Sequence, residues 1–193
     1  MFKTTFLWWG IKIKDFVYQQ ICNLTGNKKL DNQKFLVLIS GGSDSLVLLH
    51  LLIQIKLRYN IELILFHVNY QMHNNSNLME EICMGIAKSN NLKIFVLKCK
   101  SDYLNNNIES KARHFRYKEA IKISKELNIN TIITAHHEDD QIETVYMAEK
   151  NNSSWVSKIG IRPNLSLFND EHNKIQLIRP MLEITKIDIL EYS

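Results

Sequence analysis

The sequence predicts an α/β fold, a parallel β-sheet with helices on both faces. Apolar runs of strand length alternate with segments of helix length, the pattern of βαβ units. A glycine–serine turn, Ser40–Ser45, joins the first apolar run to a helix. The polar motifs follow Ile39, sit at His67 and follow Ala135. Each is the carboxyl end of an expected strand, where open parallel sheets bind their ligands.

The elements follow in order. Phe35–Ile39 reads as a buried strand and Asp44–Ile55 as the helix after the turn. Ile61–His67 is the second strand. Asn77–Asn90 is a helix with Met79, Ile82, Cys83 and Ile86 on one face. Leu92–Leu97 is the third strand, Glu109–Leu127 a long helix, Asn130–Ala135 the fourth strand and Asp139–Glu149 the helix after it. Asn151–Asn173 is polar, holds Gly160 and Pro163, and reads as a surface loop. Ile175–Ile178 is a fifth strand and Glu183–Tyr192 the last helix. At the start, Met1–Gly10 is apolar but short, and Lys12 and Lys14 follow it. It reads as a packed leader or short helix, not a signal peptide.

With 193 residues, 45% hydrophobic and 23% charged, the chain has the composition of one globular domain. A net charge of +4 permits nucleic-acid binding without demanding it. No apolar run has the length of a membrane span. Cys22, Cys83 and Cys99 are odd in number and widely spaced, with no C-x-x-C. That spacing favours free thiols in a reducing compartment, hence a cytoplasmic protein, over a structural zinc or iron–sulfur site.

Three motifs carry chemistry. In Ser40, Gly41, Gly42, Ser43, Asp44 and Ser45, the glycines let backbone approach an anion, and successive N–H groups and a helix N-terminus form a phosphate cradle. The lysine of G-x-x-x-x-G-K-[ST] is missing, so this is not the P-loop of an ATPase. Asp44 would repel bare polyphosphate, which calls for a magnesium ion between them or a plain helix cap. In Thr134–Thr144, Asp140 and Glu143 stand three apart and share one face of a first helical turn, suiting a magnesium ion or a substrate ammonium. Asp139 fits a helix dipole alone. His136 and His137 are adjacent and so point apart, which favours nucleotide contact or orientation over zinc. In Ile108–Tyr117, Arg113 and Arg116 lie on one helix face and suit phosphate, or form an ordinary solvated basic face.

Taken in order, Ser40–Ser45, His67–Asn69, Glu109–Tyr117, Thr134–Thr144 and Ile178–Leu182 resemble the tRNA(Ile)-lysidine synthetase family, of the PP-loop ATP pyrophosphatase class. The resemblance covers roughly 34–193. It implies a Rossmann-like, adenine nucleotide alpha hydrolase-like domain over 34–193, after a leader over 1–33 and without appended tRNA-binding domains. It implies ATP and Mg2+, with Asp44 on the metal and Ser40–Ser45, His67, Asn69, Ala135 and His136 around the nucleotide. The partners it implies are isoleucine tRNA and free L-lysine, with no membrane. The reaction adenylates the wobble cytidine at its C2 carbonyl oxygen; lysine then displaces AMP to give lysidine. Asp140 and Glu143 match positions that receive lysine, and Arg113 and Arg116 match positions near the phosphates and the reacting base.

The chain departs from the family at two places. His-Val-Asp-His-Gly-Leu-Arg is replaced by His67-Val-Asn-Tyr-Gln-Met-His73, and Arg-Gly-Ser-Gly by Asn151-Asn-Ser-Ser154. The alternatives are another PP-loop tRNA-modifying enzyme such as a thiolase, which commonly needs C-x-x-C, or a non-catalytic nucleotide-binding remnant.

Overall fold

The computed structural model describes residues 2–72, 74–99, 108–152, 154–171 and 173–193; His73 falls outside them. Six strands form one sheet in the order β3-β2-β1-β4-β6-β5. They are β1 (Lys34–Leu38), β2 (Glu62–Asn69), β3 (Lys93–Lys98), β4 (Thr131–Ile133), β5 (Asn164–Asn169) and β6 (Lys174–Ile178). The helices are α1 (Phe2–Thr25), α2 (Ser43–Lys56), α3 (Ser76–Ser89), α4 (Ile108–Leu127), α5 (Glu138–Lys150), α6 (Trp155–Lys158) and α7 (Lys186–Tyr192). β1 pairs in parallel with β2 on one side and β4 on the other. The chain order therefore reverses at β1, and the switch point lies between the ends of β1 and β4.

Strand alternation divides the core in two. Phe35 and Val37 face one way and pack with α1, α2, α3 and α7; Leu36 and Leu38 face the other and pack with α4 and β5. Both faces are covered, which is why the central strands are continuous apolar runs.

The segment read as a leader is a helix of 24 residues. Ile13, Val17 and Ile21 are buried in the same cluster as Phe35 and Leu48. The loop expected over 151–173 needs correction, since it contains α6 and the edge strand β5. β5 runs antiparallel to β6, so the sheet is mostly rather than wholly parallel. A register shift between Ser166 and Phe168 breaks the alternation that would have revealed the strand. The last helix begins at Lys186, three residues later than expected, because Thr185 caps it: its Oγ1 accepts from Asp188 N at 3.1 Å.

Candidate active site

The Ser40–Ser45 turn closes on itself. Ser45 Oγ donates to the Gly42 carbonyl at 2.8 Å and accepts from Ser40 N at 3.2 Å; Gly42 N donates to Ser40 Oγ at 3.2 Å. Gly41 has φ +87°, and a Cβ there would stand 2.9 Å from Met79 Cβ and 3.0 Å from Met79 O. Only glycine fits that position. Gly42 is extended, at φ −78°, and is the N-cap of α2. Asp44 thus lies inside the first turn and is not the cap residue. One of its carboxylate oxygens bonds the Lys186 ammonium, and the other lies 3.6 Å from His137 Nε2.

A cavity of about 390 Å³ opens above this turn, lined among others by Ser40, Asp44, Ser45, Arg116, His136 and Asp140. Ala135, His67 and Asn69 line it too. His67 is buried, and its Nδ1 donates to the Ile39 carbonyl at 2.9 Å, pinning the end of β1. Its Nε2 is buried without a hydrogen-bonding partner. The Asn69 side chain is held by three hydrogen bonds. Its amide donates to Glu80 Oε2 at 2.6 Å and Asn77 Oδ1 at 3.1 Å, and its oxygen accepts from Gln71 N at 2.9 Å. That hydrogen bond from Asn69 leads the effects holding Glu80 below the usual carboxylate range. Here the carboxylate sits on α3 and reaches the strand end through Asn69.

A second cavity of about 870 Å³ lies between α4 and α5, lined by Arg113, Glu143, Thr144, Met147 and Ile161 among others. His136 and Asp140 line both cavities. The expected residues therefore separate into two adjoining compartments. Ser40, Asp44, Ser45 and Arg116 belong to the first, Arg113 and Glu143 to the second. Asp140 carries a further duty: its Oδ2 accepts from His137 N at 2.9 Å and so closes the start of α5. Asp139, read as a dipole partner, instead accepts from Lys186 N at 2.9 Å and ties α5 to α7. Gln141 accepts from Ile161 N and donates to Ile159 O at 3.3 Å, holding the wall of the second cavity. Gly160, at φ +81°, lets that wall approach; a Cβ there would meet the Gln141 amide at 2.7 Å.

His136 is neutral. Burial foremost, then Arg179, Arg116 and Arg113, press its pKa down to about 3. Its Nδ1 lies 2.9 Å from Thr134 Oγ1. Arg179 follows β6, is 5% exposed, and bonds the Arg162 carbonyl. It adds a third guanidinium to the electrostatics of the site. The Ile178–Leu182 motif pointed to that segment but gave Arg179 no role. Lys186 was also missed; a lysine in the first turn of a helix, against its dipole, was the available signal. Among the described residues, no group of three or more His, Cys, Asp and Glu side chains could hold a metal ion.

Similarity to known proteins accords with this geometry. The sequence profile of the PP-loop domain matches residues 14–193. Over 166 residues the chain is 33% identical to the bifunctional protein TilS/HprT of Listeria monocytogenes, covering 84% of this chain and 25% of that protein. It is 34% identical to the tRNA(Ile)-lysidine synthase of Mesoplasma florum (81% and 38% covered) and 35% identical to that of Rickettsia conorii (89% and 34%). The chain thus spans between a quarter and two fifths of the length of these curated relatives. Two solved structures share the fold. The U34-tRNA thiolase NcsA of Methanococcus maripaludis gives a TM-score of 0.69 at 20% identity, with 92% of this chain and 62% of that one covered. The NH3-dependent NAD synthetase of Campylobacter jejuni gives 0.54 at 16%, with 95% and 70% covered. The glycine–serine turn at the β1–β4 switch point, the domain profile and these relatives agree, and the chain belongs to the PP-loop family.

Proposed function

We propose that this domain ligates lysine to C2 of the wobble cytidine of isoleucine tRNA, using ATP and releasing AMP and pyrophosphate. The observation that carries the reading is the pair of cavities joined at His136 and Asp140. One compartment has the phosphate cradle; the other has Glu143 and Arg113. Such a division suits a reaction in which a nucleotide and an amine meet at one base. The names of the relatives at 33–35% identity support the same reaction.

In this reading Ser40–Ser45 bind the phosphates, with the N-terminus of α2 behind them. Magnesium takes one or two carboxylates and completes its shell with phosphate oxygens and water. Asp44, with an oxygen 3.6 Å from His137 Nε2, fits that need and would hold the ion. There it would neutralise charge on the leaving pyrophosphate. Arg116 and Arg113 stabilise the anionic centre as the C2 oxygen attacks the α-phosphorus. Neutral His136 donates or accepts a hydrogen bond without adding charge. Asp140 and Glu143 hold the lysine ammonium while an amine attacks C2 and AMP departs. Both amide hydrogens of Asn69 are taken by Glu80 and Asn77, so nucleotide contact there would fall to the side-chain oxygen.

A thiolase reading has less support. Cys22 and Cys83 are buried on one side of the sheet and Cys99 on the other, so the three do not converge on one cluster. The reading also takes 34–193 as the catalytic domain and the cytoplasm as its location. No helix among the described residues is long and apolar enough to cross a membrane. Incubation with ATP, labelled lysine and isoleucine tRNA tests the function. Label should enter the RNA only with ATP present. ATP binding without labelled RNA would instead identify a nucleotide-binding remnant.

A further inference from the structure

The turn lacks the lysine of an ATPase loop, yet a lysine stands in it. Lys186 opens α7, 142 positions after Asp44. Its ammonium bonds Asp44 Oδ1 and reaches Ser43 Oγ at 3.2 Å. Its backbone N is fixed by Asp139, and the capping residue Thr185 precedes it. The stem is therefore anchored while the tip rests on Asp44 and Ser43 of the turn.

Two physical features leave this lysine free to change partner. A cation in the first turn of a helix opposes the positive end of the dipole, so an anion must compensate for its presence there. The contact is also wet: the Lys186 and Asp44 side chains keep 32% and 30% of their surface exposed. Pairs of that kind contribute little, so the ammonium can move to a stronger anion at small cost. A triphosphate in the cradle is such an anion.

We propose that Lys186 is the polyphosphate-binding cation of this cradle. In the nucleotide-free protein it neutralises Asp44; with nucleoside triphosphate bound it pairs with the β- and γ-phosphoryl oxygens and frees Asp44. The proposal rests on the nucleotide reading above and adds the residue that tells a triphosphate from a monophosphate.

Calorimetric titration of the full chain with ATP and with AMP, in magnesium, tests it. Lys186→Met should weaken ATP by about ten-fold or more, from loss of one charge-assisted contact, and AMP by less than about two-fold. Lys186→Arg should keep most of the ATP affinity. Unchanged ATP affinity in Lys186→Met, or parallel loss of ATP and AMP, overturns the proposal. Wild-type protein that binds neither nucleotide overturns the nucleotide reading as well. A second measurement needs no variant: ATP, and not AMP, should protect Lys186 from acylation by an amine-reactive ester, mapped by mass spectrometry. Equal protection by both, or by neither, counts against it even if the variants fail to fold.

Discussion

Gly41 and Gly42 look equivalent in the sequence and are not. Gly41 combines a left-handed φ with contact distances to Met79 that no Cβ tolerates, whereas Gly42 is extended and a Cβ there would meet only Ser40 Oγ, at 3.4 Å. Gly41→Ala should cost at least about 1–2 kcal/mol, the penalty of a left-handed alanine, and displace α3. Gly42→Ala should stay within about 0.5 kcal/mol. Denaturant midpoints measure both, and equal midpoints would remove the distinction. At Glu143 the prediction concerns substrate rather than stability. Its carboxylate is exposed and lines only the second cavity, away from the cradle. Glu143→Gln should raise the KM for lysine by roughly ten-fold or more, the worth of one charge-assisted contact, with little change for ATP. Equal effects on the two substrates would assign Glu143 to structure or metal instead.

Elements were legible where the chain repeats a simple period. The central strands and α2 to α5 start and stop within a residue or two of expectation, because their apolar runs and flanking polar residues announce them. β5 was not legible: its shift of register puts Leu167 and Phe168 next to each other in the core-facing set, and asparagines flank it. The same limit applies to the site. Motifs within one segment, such as Asp140 with Glu143, read directly from spacing. Contacts made by long-range packing, such as Lys186 on Asp44 or Arg179 beside His136, leave almost no trace in one sequence. The ends of β4 and β6 and the face of α4 jointly set the state of His136, and its depressed pKa has a stability consequence. Between pH 6.5 and about 3 the unfolded chain binds a proton at this histidine that the folded one refuses. Stability should therefore be complete above pH 6.5 and fall as pH drops through that window, by at most about 1.4 kcal/mol per pH unit from this group. His136→Asn should flatten the fall in urea titrations at pH 6.5, 5.5 and 4.5. An unaltered slope would mean that His136 titrates normally.

At the scale of the whole molecule, charge and placement bear on the partner. The net charge is only +4, and the loop that matches the family's Arg-Gly-Ser-Gly carries Asn151 and Asn152. Affinity for RNA grows with the number of phosphates neutralised, and so does its sensitivity to salt. Of the two arginines on the Ala-Arg-x-x-Arg-Tyr helix, Arg116 is half-buried, with a buried Nε, and lines the cavity of the cradle; Arg113 is exposed at the mouth of the second. An inward-facing guanidinium contributes to the charge that develops during reaction more than to holding a tRNA on the surface. The isolated 193-residue chain should therefore bind isoleucine tRNA weakly, losing most of its affinity between roughly 50 and 200 mM salt. Arg116→Ala should lower the single-turnover rate by about a hundred-fold, as removal of one transition-state donor does, and change tRNA affinity by less than about three-fold. Filter binding across a salt series and rapid-quench assays on the same preparations separate the two effects. A large loss of affinity at an unchanged rate would make Arg116 a docking residue, and tight binding by the wild-type chain at high salt would place the main RNA contacts on a surface other than this helix.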